Sequence, residues 1–169
     1  MLIYLDTMIV QYCVDYKDFI FGDSSKCPTS EPKLRKELSA LRRLVELEQL
    51  GDWIFASSPQ LVSELHAGSP TVDQVEIYKL LRKSYEESGW GEAFRIEPQA
   101  VDRIGSFVKR LGLQPADTRH LAEAIALNAS WFLTNDKGII LRCKDRNLSL
   151  RVARPSECLE DISLGLFLR

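Results

Sequence analysis

Leu2-Ile3-Tyr4-Leu5 is a short apolar run that ends directly at Asp6-Thr7. A run of this kind predicts a buried β-strand, because a strand covered on both faces lacks polar alternation. Asp6 therefore stands where the first predicted strand ends. Residues that follow a strand of a parallel sheet lie at its carboxyl edge, which is where open α/β sheets bind ligands.

Further short apolar runs alternate with longer helical patterns along the chain. The predicted strands are 2–5, 53–56, 93–96, 131–134 and 148–153. The predicted helices are 33–50, 59–67, 70–88, 98–111 and 115–128. Strands separated by helices indicate an α/β fold with a central parallel five-stranded sheet that helices cover on both faces.

The stretch from Asp15 to Pro32 fits neither pattern. It contains a glycine, a second proline and several serines around Phe19-Ile20-Phe21. We predict an insertion loop at 15–32 within one domain that spans 1–169, since 169 residues is a usual single-domain length. The loop either packs its aromatic side chains on the nearest helix or docks a partner, and we favour the packing.

The composition is that of an ordinary globular protein, with 45% hydrophobic and 27% charged residues. No apolar run approaches the roughly 20 residues that span a bilayer. The apolar N-terminus has no Lys or Arg before Lys17 and contains Asp6, so we expect no targeting signal and a cytoplasmic protein. The four cysteines form no C-x-x-C pair, which argues against a zinc knuckle or a redox dithiol.

The net charge is −2, which by itself is weak evidence against a nucleic-acid partner. Basic residues are nevertheless concentrated near the C-terminal end, where Lys137 to Arg154 contains six of them against one acid, Asp145. Neither G-x-x-x-x-G-K nor G-x-G-x-x-G occurs in the chain. A nucleotide-binding or flavodoxin-like receiver domain is therefore not favoured.

Four acidic residues lie where such a fold would place a site. Asp6 and Asp136 follow predicted strands, Asp117 opens a predicted helix, and Glu64 lies within a short one. Each has a structural interpretation: a helix cap, a first-turn carboxylate favoured by the helix dipole, or a surface residue. Carboxylates brought within ~4 Å repel by about 4 kcal/mol per pair at an effective dielectric of 20. A cluster of them would thus require protons or a hard cation such as Mg²⁺ or Mn²⁺.

Four ordered segments give the chain a resemblance to a known family. They are Leu5-Asp6-Thr7, Ser58-Pro59 through Glu64-Leu65 and Gly68, Pro115-Ala116-Asp117-Thr118-Arg119-His120-Leu121-Ala122, and Leu133-Thr134-Asn135-Asp136-Lys137. In order and spacing they resemble the PIN domain, and in length and layout the VapC-type toxins within that family. The resemblance implies a three-layer α/β/α fold. It also implies cleavage of RNA that depends on Mg²⁺ or Mn²⁺.

The resemblance also implies roles for individual residues. Asp6, Glu64, Asp117 and Asp136 would form the catalytic, metal-binding acidic set, and Thr7 and Thr134 would orient the carboxylates. Around this site, we expect Arg119 and Lys137 to contact substrate phosphates. His120 lies one turn after Asp117; it either hydrogen-bonds near the site or packs as a structural residue, and we favour the packing.

The functional hypothesis is therefore an endoribonuclease, the toxin of a toxin–antitoxin pair, with RNA as substrate, a small antitoxin as partner and a homodimeric assembly. Its alternative is a catalytically silent PIN-like module that binds a protein or RNA. The alternative is motivated by the 15–32 insertion and by Met8, which stands where family members often carry Asn or Ser. Met8 also argues against a haloacid-dehalogenase-like phosphatase, which needs an acid there.

Overall fold

The computed structural model of the chain describes residues 1–48, 53–56, 71–77 and 97–165. Their elements are, in chain order, β1 (Leu2–Leu5), α1 (Thr7–Asp15), α2 (Lys17–Ile20), α3 (Pro32–Glu48), β2 (Ile54–Ala56), α4 (Pro98–Val108), a 3₁₀ helix (Lys109–Leu111), α5 (Pro115–Ala126), β3 (Trp131–Leu133), α6 (Lys137–Cys143), β4 (Arg151–Ala153) and α7 (Pro155–Ser163). Residues 72–77 are also helical. No helix in these ranges is long and apolar enough to cross a bilayer.

The strands form one parallel sheet in the order β2-β1-β3-β4. In register, Ile3 lies opposite Phe55 on one side and Trp131 on the other. All four residues of β1 are buried, as expected for a central parallel strand. This order places the carboxyl ends of β1 and β3 side by side.

Helices flank the sheet. The alternating side chains of β1 divide between two hydrophobic clusters. Ile3 and Leu5 pack into one cluster with residues of α1, α2, α3 and α7. Leu2 and Tyr4 pack into the other with residues of α4, α5 and α6. The α/β prediction is confirmed, and the arrangement is compatible with three layers.

The sheet described here has four strands rather than the five predicted. The predicted strand at 93–96 lies outside the described residues, as do the predicted helix at 59–67 and most of the one at 70–88. The last strand is shorter than predicted: β4 begins at Arg151 because its ladder pairs only with the three residues of β3. The helices predicted at 33–50, 98–111 and 115–128 are confirmed within a few residues, the second of them ending in the 3₁₀ turn.

Four described helices were not predicted: α1, α2, α6 and α7. Only one residue separates β1 from α1. The apolar side chains of α1 therefore continue the apolar run of the strand, and the sequence does not show where strand periodicity changes to helical periodicity. Asp6 and Asp136 cap α1 and α6 with their side chains. A cap satisfies backbone N–H groups that the first helical turn leaves without a partner, and it fixes where the helix begins.

Residues 16–31, most of the predicted insertion, contain the short helix α2. Phe19 and Ile20 of α2 are buried in the cluster that includes α3, while Phe21 is partly exposed. The Arg42 guanidinium lies 5.2 Å from the centroid of the Phe19 ring, and it also donates a hydrogen bond to the Ser24 carbonyl oxygen. The segment is thereby attached to α3 through Phe19 and Arg42.

Candidate functional site

Asp6 lies at the carboxyl end of β1, and hydrogen bonds connect it to the start of α1 and to the end of β3. Its backbone N–H donates to the Leu133 carbonyl oxygen at the end of β3 (3.1 Å). Its Oδ1 accepts from the Thr7 backbone N–H (2.8 Å), and its Oδ2 accepts from the Thr134 hydroxyl (2.7 Å). The residue is only 7% exposed. Each carboxylate oxygen is therefore directed by a donor from a different element.

Thr134 connects Asp6 to the second acidic residue of this edge. The Thr134 side chain is fully buried, and its hydroxyl oxygen accepts from the Asp136 backbone N–H (3.0 Å) while donating to Asp6. The Asp136 Oδ1 in turn accepts from the backbone N–H groups of Gly138 and Ile139 at the start of α6. One hydroxyl thus fixes the carboxylate of Asp6 and the backbone of Asp136 together.

Asp117 reaches the same edge from α5. This helix starts at Pro115, and Asp117 lies in its first turn. Asp117 is close enough to Asp6 for its negative charge to raise the pKa of the Asp6 carboxyl. Two of the predicted acids, from elements far apart in sequence, are therefore electrostatic neighbours.

His120 joins α5 to β1 on both sides of Asp6. The Tyr4 hydroxyl lies 2.8 Å from His120 Nδ1, and the Thr7 hydroxyl lies 3.2 Å from His120 Nε2. Tyr4 and His120 are almost fully buried. The imidazole is thereby bound at both nitrogens by residues that bracket Asp6 in sequence, and it holds β1 and α1 against the helix that carries Asp117.

Burial dominates the electrostatics of Asp6. It raises the pKa of this carboxyl above its usual value, and the charge of Asp117 adds to the increase. The Thr134 hydrogen bond, the positive potential of His120 and the Thr7 N–H act in the opposite direction without cancelling the effect of burial. The negative form of Asp6 is thus disfavoured as it stands, and a cation placed beside it would favour that form.

Two of the described thiols, those of Cys13 and Cys158, are poor candidates for a nucleophile. Cys13 and Cys158 are buried, and burial raises the pKa of each thiol to about 12. A thiol with so high a pKa is almost entirely protonated near neutral pH and is a poor nucleophile.

Of the residues predicted for the site, Asp6, Thr7, Asp117, Thr134 and Asp136 lie at the carboxyl edge of β1 and β3 or at the start of α5. Glu64 lies outside the described residues. Within the described part of the chain, no group of three or more His, Cys, Asp or Glu side chains is arranged to hold a metal ion. The described residues bring together the buried carboxylate of Asp6 and the nearby acid Asp117. The Thr134 hydroxyl connects Asp6 to Asp136.

Arg119 and Lys137, predicted as phosphate contacts, differ in their surroundings. The Arg119 Nε lies 3.2 Å from Oε1 of Glu123, whose side chain is only 3% exposed. Arg119 is therefore paired within its own helix. Lys137 lies in the first turn of α6, directly after Asp136, and is exposed.

The sequence alone does not indicate the role of Tyr4 in this site. Tyr4 is predicted only as a strand residue, yet its hydroxyl orients His120. The available signal was the alternation of β1, which puts Tyr4 and Asp6 on the same side of the strand. Met8 is 38% exposed, and Asp6 accepts a hydrogen bond from Thr134, a residue that the family resemblance implies as an orienting one.

The fold and this site define an α/β protein with a parallel sheet and an acidic, threonine-supported edge. No family model, no curated protein and no solved structure matches the chain.

Proposed function

We propose that the protein is a PIN-like endoribonuclease that hydrolyses RNA phosphodiester bonds with Mg²⁺ or Mn²⁺. The observation that carries this proposal is the buried carboxylate of Asp6, oriented by Thr134 and lying within the electrostatic reach of Asp117. The ordered motifs around these residues are those for which the sequence resembles the PIN domain. The proposed fold is the three-layer PIN-like one, with 93–96 as the fifth strand.

The chemistry of the donors suits a hard divalent cation, and the described acids alone do not complete a metal site. Asp6, Asp117 and Asp136 offer carboxylate oxygens, the ligands that Mg²⁺ and Mn²⁺ prefer. Burial and the nearby Asp117 charge raise the pKa of Asp6, an effect that a bound cation would oppose. We propose that Asp6, Asp117 and Asp136, together with Glu64, hold the cation.

The bound cation would supply two things: a lower pKa for water and compensation of the charge on the phosphate oxygens. The chain's own residues position the carboxylates that would hold the cation. Thr134 fixes the direction of Asp6 Oδ2 and the position of Asp136. His120, bound to Tyr4 and Thr7, sets the approach of α5 to β1 and with it the distance between Asp117 and Asp6.

The biological role that we propose is that of a toxin restrained by a small antitoxin, acting as a homodimer. This part of the proposal rests on the family resemblance. Coexpression with the protein of a small neighbouring reading frame, followed by copurification and a cleavage assay, tests it. Copurification with loss of cleavage is the expected result, whereas an unaffected nuclease would contradict the role.

A cleavage assay with single-stranded RNA tests the activity. We expect Mg²⁺- or Mn²⁺-dependent cleavage that excess EDTA stops and that Asp6→Asn and Asp117→Asn each abolish without unfolding the protein. Asp102→Asn is the matched control, because it makes the same change at an exposed acid of α4. Cleavage that survives in both site variants, or in EDTA, would contradict the proposal. RNA that is bound but left intact would favour the catalytically silent module.

A further inference from the structure

A groove of about 530 Å³ lies at the carboxyl edge of the sheet, next to Asp136. Asn135 and Lys137, the two neighbours of Asp136 in sequence, line one wall. The opposite walls come from Tyr12 of α1, the start of α3 and the start of α7. The groove therefore includes the two sequence neighbours of Asp136 and extends from them over three helices.

Internal hydrogen bonds fix the walls of this groove. The Glu37 carboxylate of α3 accepts from the Ser156 backbone N–H (2.9 Å) and from the Ser156 hydroxyl (2.8 Å) at the start of α7. The Glu157 carboxylate accepts from the Arg154 backbone N–H and lies 3.6 Å from its guanidinium. Two of the three acids that line the groove are thus engaged in holding α7 in place, and only Glu31 is not.

The basic residues of the groove are differently placed. Lys33, Lys36 and Lys137 are exposed, and none of them forms an ion pair within the described ranges. Lys33 and Lys36 are three residues apart on α3, so they share one face of that helix. With Arg154, four basic residues line the groove against three acids, which gives a net charge of +1. The three exposed lysines are the cations of the groove that take no part in an ion pair among the described residues, and they favour an anionic ligand.

Two further wall residues suit a nucleotide chain. Asn135 has a buried Oδ1 without a hydrogen-bond partner in the part of the chain that the structure describes. This oxygen is an acceptor, so only a hydrogen-bond donor such as a ribose 2′-hydroxyl can satisfy it, and a phosphate oxygen cannot. Tyr12 adds an aromatic ring, the kind of surface on which unpaired bases stack in single-strand sites.

We propose that this groove binds the backbone of single-stranded RNA beside the scissile bond, with Lys33 and Lys36 on successive phosphates and Lys137 nearest the site. The proposal rests on the proposed ribonuclease function and adds the path that the substrate takes across α3 and α7. Phosphate contacts of this kind give affinity without sequence preference.

Binding is measured separately from cleavage. Fluorescence anisotropy in EDTA, with a fluorescein-labelled pool of random-sequence single-stranded RNA, reports affinity when no cation is present. We expect Lys33→Ala/Lys36→Ala to weaken binding about tenfold at low salt and to reduce the salt slope by about 1.4, or roughly 0.7 per lost phosphate contact. Lys109→Ala/Arg110→Ala removes the same charge from the exposed 3₁₀ helix and should leave both quantities close to wild type.

The outcomes separate this proposal from the proposed function. Equal losses in the groove variant and the control variant, or no RNA binding by the wild type, would overturn the groove. Unchanged binding in the groove variant together with metal-dependent cleavage would overturn the groove and leave the nuclease intact. A selective loss of binding in a protein that cleaves no RNA would support the groove as an RNA site and contradict the nuclease.

Discussion

The Thr134 hydroxyl donates to Asp6 Oδ2 over 2.7 Å, which connects the end of β3 to the end of β1 through a fully buried side chain. The same oxygen accepts from the Asp136 backbone N–H. Thr134 therefore positions two of the candidate ligands, Asp6 and Asp136, relative to each other. A threonine suits this position because its hydroxyl donates and accepts at once.

Thr134→Val removes that hydroxyl at nearly constant volume. We expect a loss of about 1–3 kcal/mol in the free energy of unfolding, because Asp6 Oδ2 and the Asp136 N–H both lose a partner. Affinity for Mn²⁺ should fall about 10- to 100-fold, as is usual when the support of a metal ligand is removed. Urea denaturation and isothermal titration calorimetry measure the two effects. Thr134→Ser keeps the hydroxyl and should retain most of both, so equal losses in Ser and Val would contradict the role.

The raised pKa of Asp6 predicts how stability depends on pH. Because burial lifts the pKa of this carboxyl in the folded state above its ordinary value of 3.8, the folded protein binds more protons than the unfolded chain in the interval between the two pKa values. The contribution of Asp6 to stability is then complete below 3.8 and is lost as the pH rises through the folded pKa.

Asp6→Asn isolates this contribution. Without added metal, the free energy of unfolding of the variant should increase relative to wild type as the pH rises from about 3 toward 7. Denaturation curves at a series of pH values measure the difference, with Asp102→Asn as control. A difference that is constant with pH would show that the pKa of Asp6 is not raised.

Tyr4→Phe tests the positioning role of His120. The substitution keeps the ring that stacks on Phe132, with centroids 5.4 Å apart, and removes only the hydroxyl next to His120 Nδ1. We expect a loss of stability of about 1 kcal/mol and, if the protein is a nuclease, a drop of about tenfold or more in kcat at an unchanged KM. Tyr16→Phe is the matched control. A change in KM alone would contradict positioning, since the ring of His120 would then not affect the reacting groups.

Arg119 should matter for stability rather than for RNA affinity. Glu123 is buried, and its Oε2 has no hydrogen-bond partner among the described residues, so Arg119 is the cation that compensates it. Arg119→Ala leaves that carboxylate uncompensated, and we expect a loss of about 1–3 kcal/mol, reduced from the value for fully buried pairs because Arg119 is half-exposed.

The double variant Arg119→Ala/Glu123→Gln should recover most of that stability, because the amide carries no charge to compensate. Thermal or urea denaturation of wild type, Arg119→Ala, Glu123→Gln and the double variant completes a double-mutant cycle, which measures the interaction energy of the pair. RNA affinity measured on the same proteins in EDTA should stay near wild type. A strong loss of RNA affinity in Arg119→Ala, without a loss of stability, would instead support its predicted role as a phosphate contact.

The sequence by itself determined the α/β class, all four described strands and the long helices. These follow from local periodicity: apolar runs of buried strands, helical spacing in 33–50 and 115–128, and prolines at helix starts. It also placed Asp6 and Asp136 at strand ends, which is a matter of chain adjacency. Helices α1, α2, α6 and α7 were not predicted because each of them is short and leaves little periodic signal in the sequence.

Only the tertiary structure decided which side chains meet. The Tyr4–His120 and Thr134–Asp6 bonds join residues 116 and 128 positions apart, and they form because the strand order puts β1 beside β3. Arg119 pairs with the buried carboxylate of Glu123, a partner that the sequence alone does not single out. A sequence records hydrophobic period along the chain, whereas a hydrogen bond between distant residues depends on strand order and burial, which no local pattern contains.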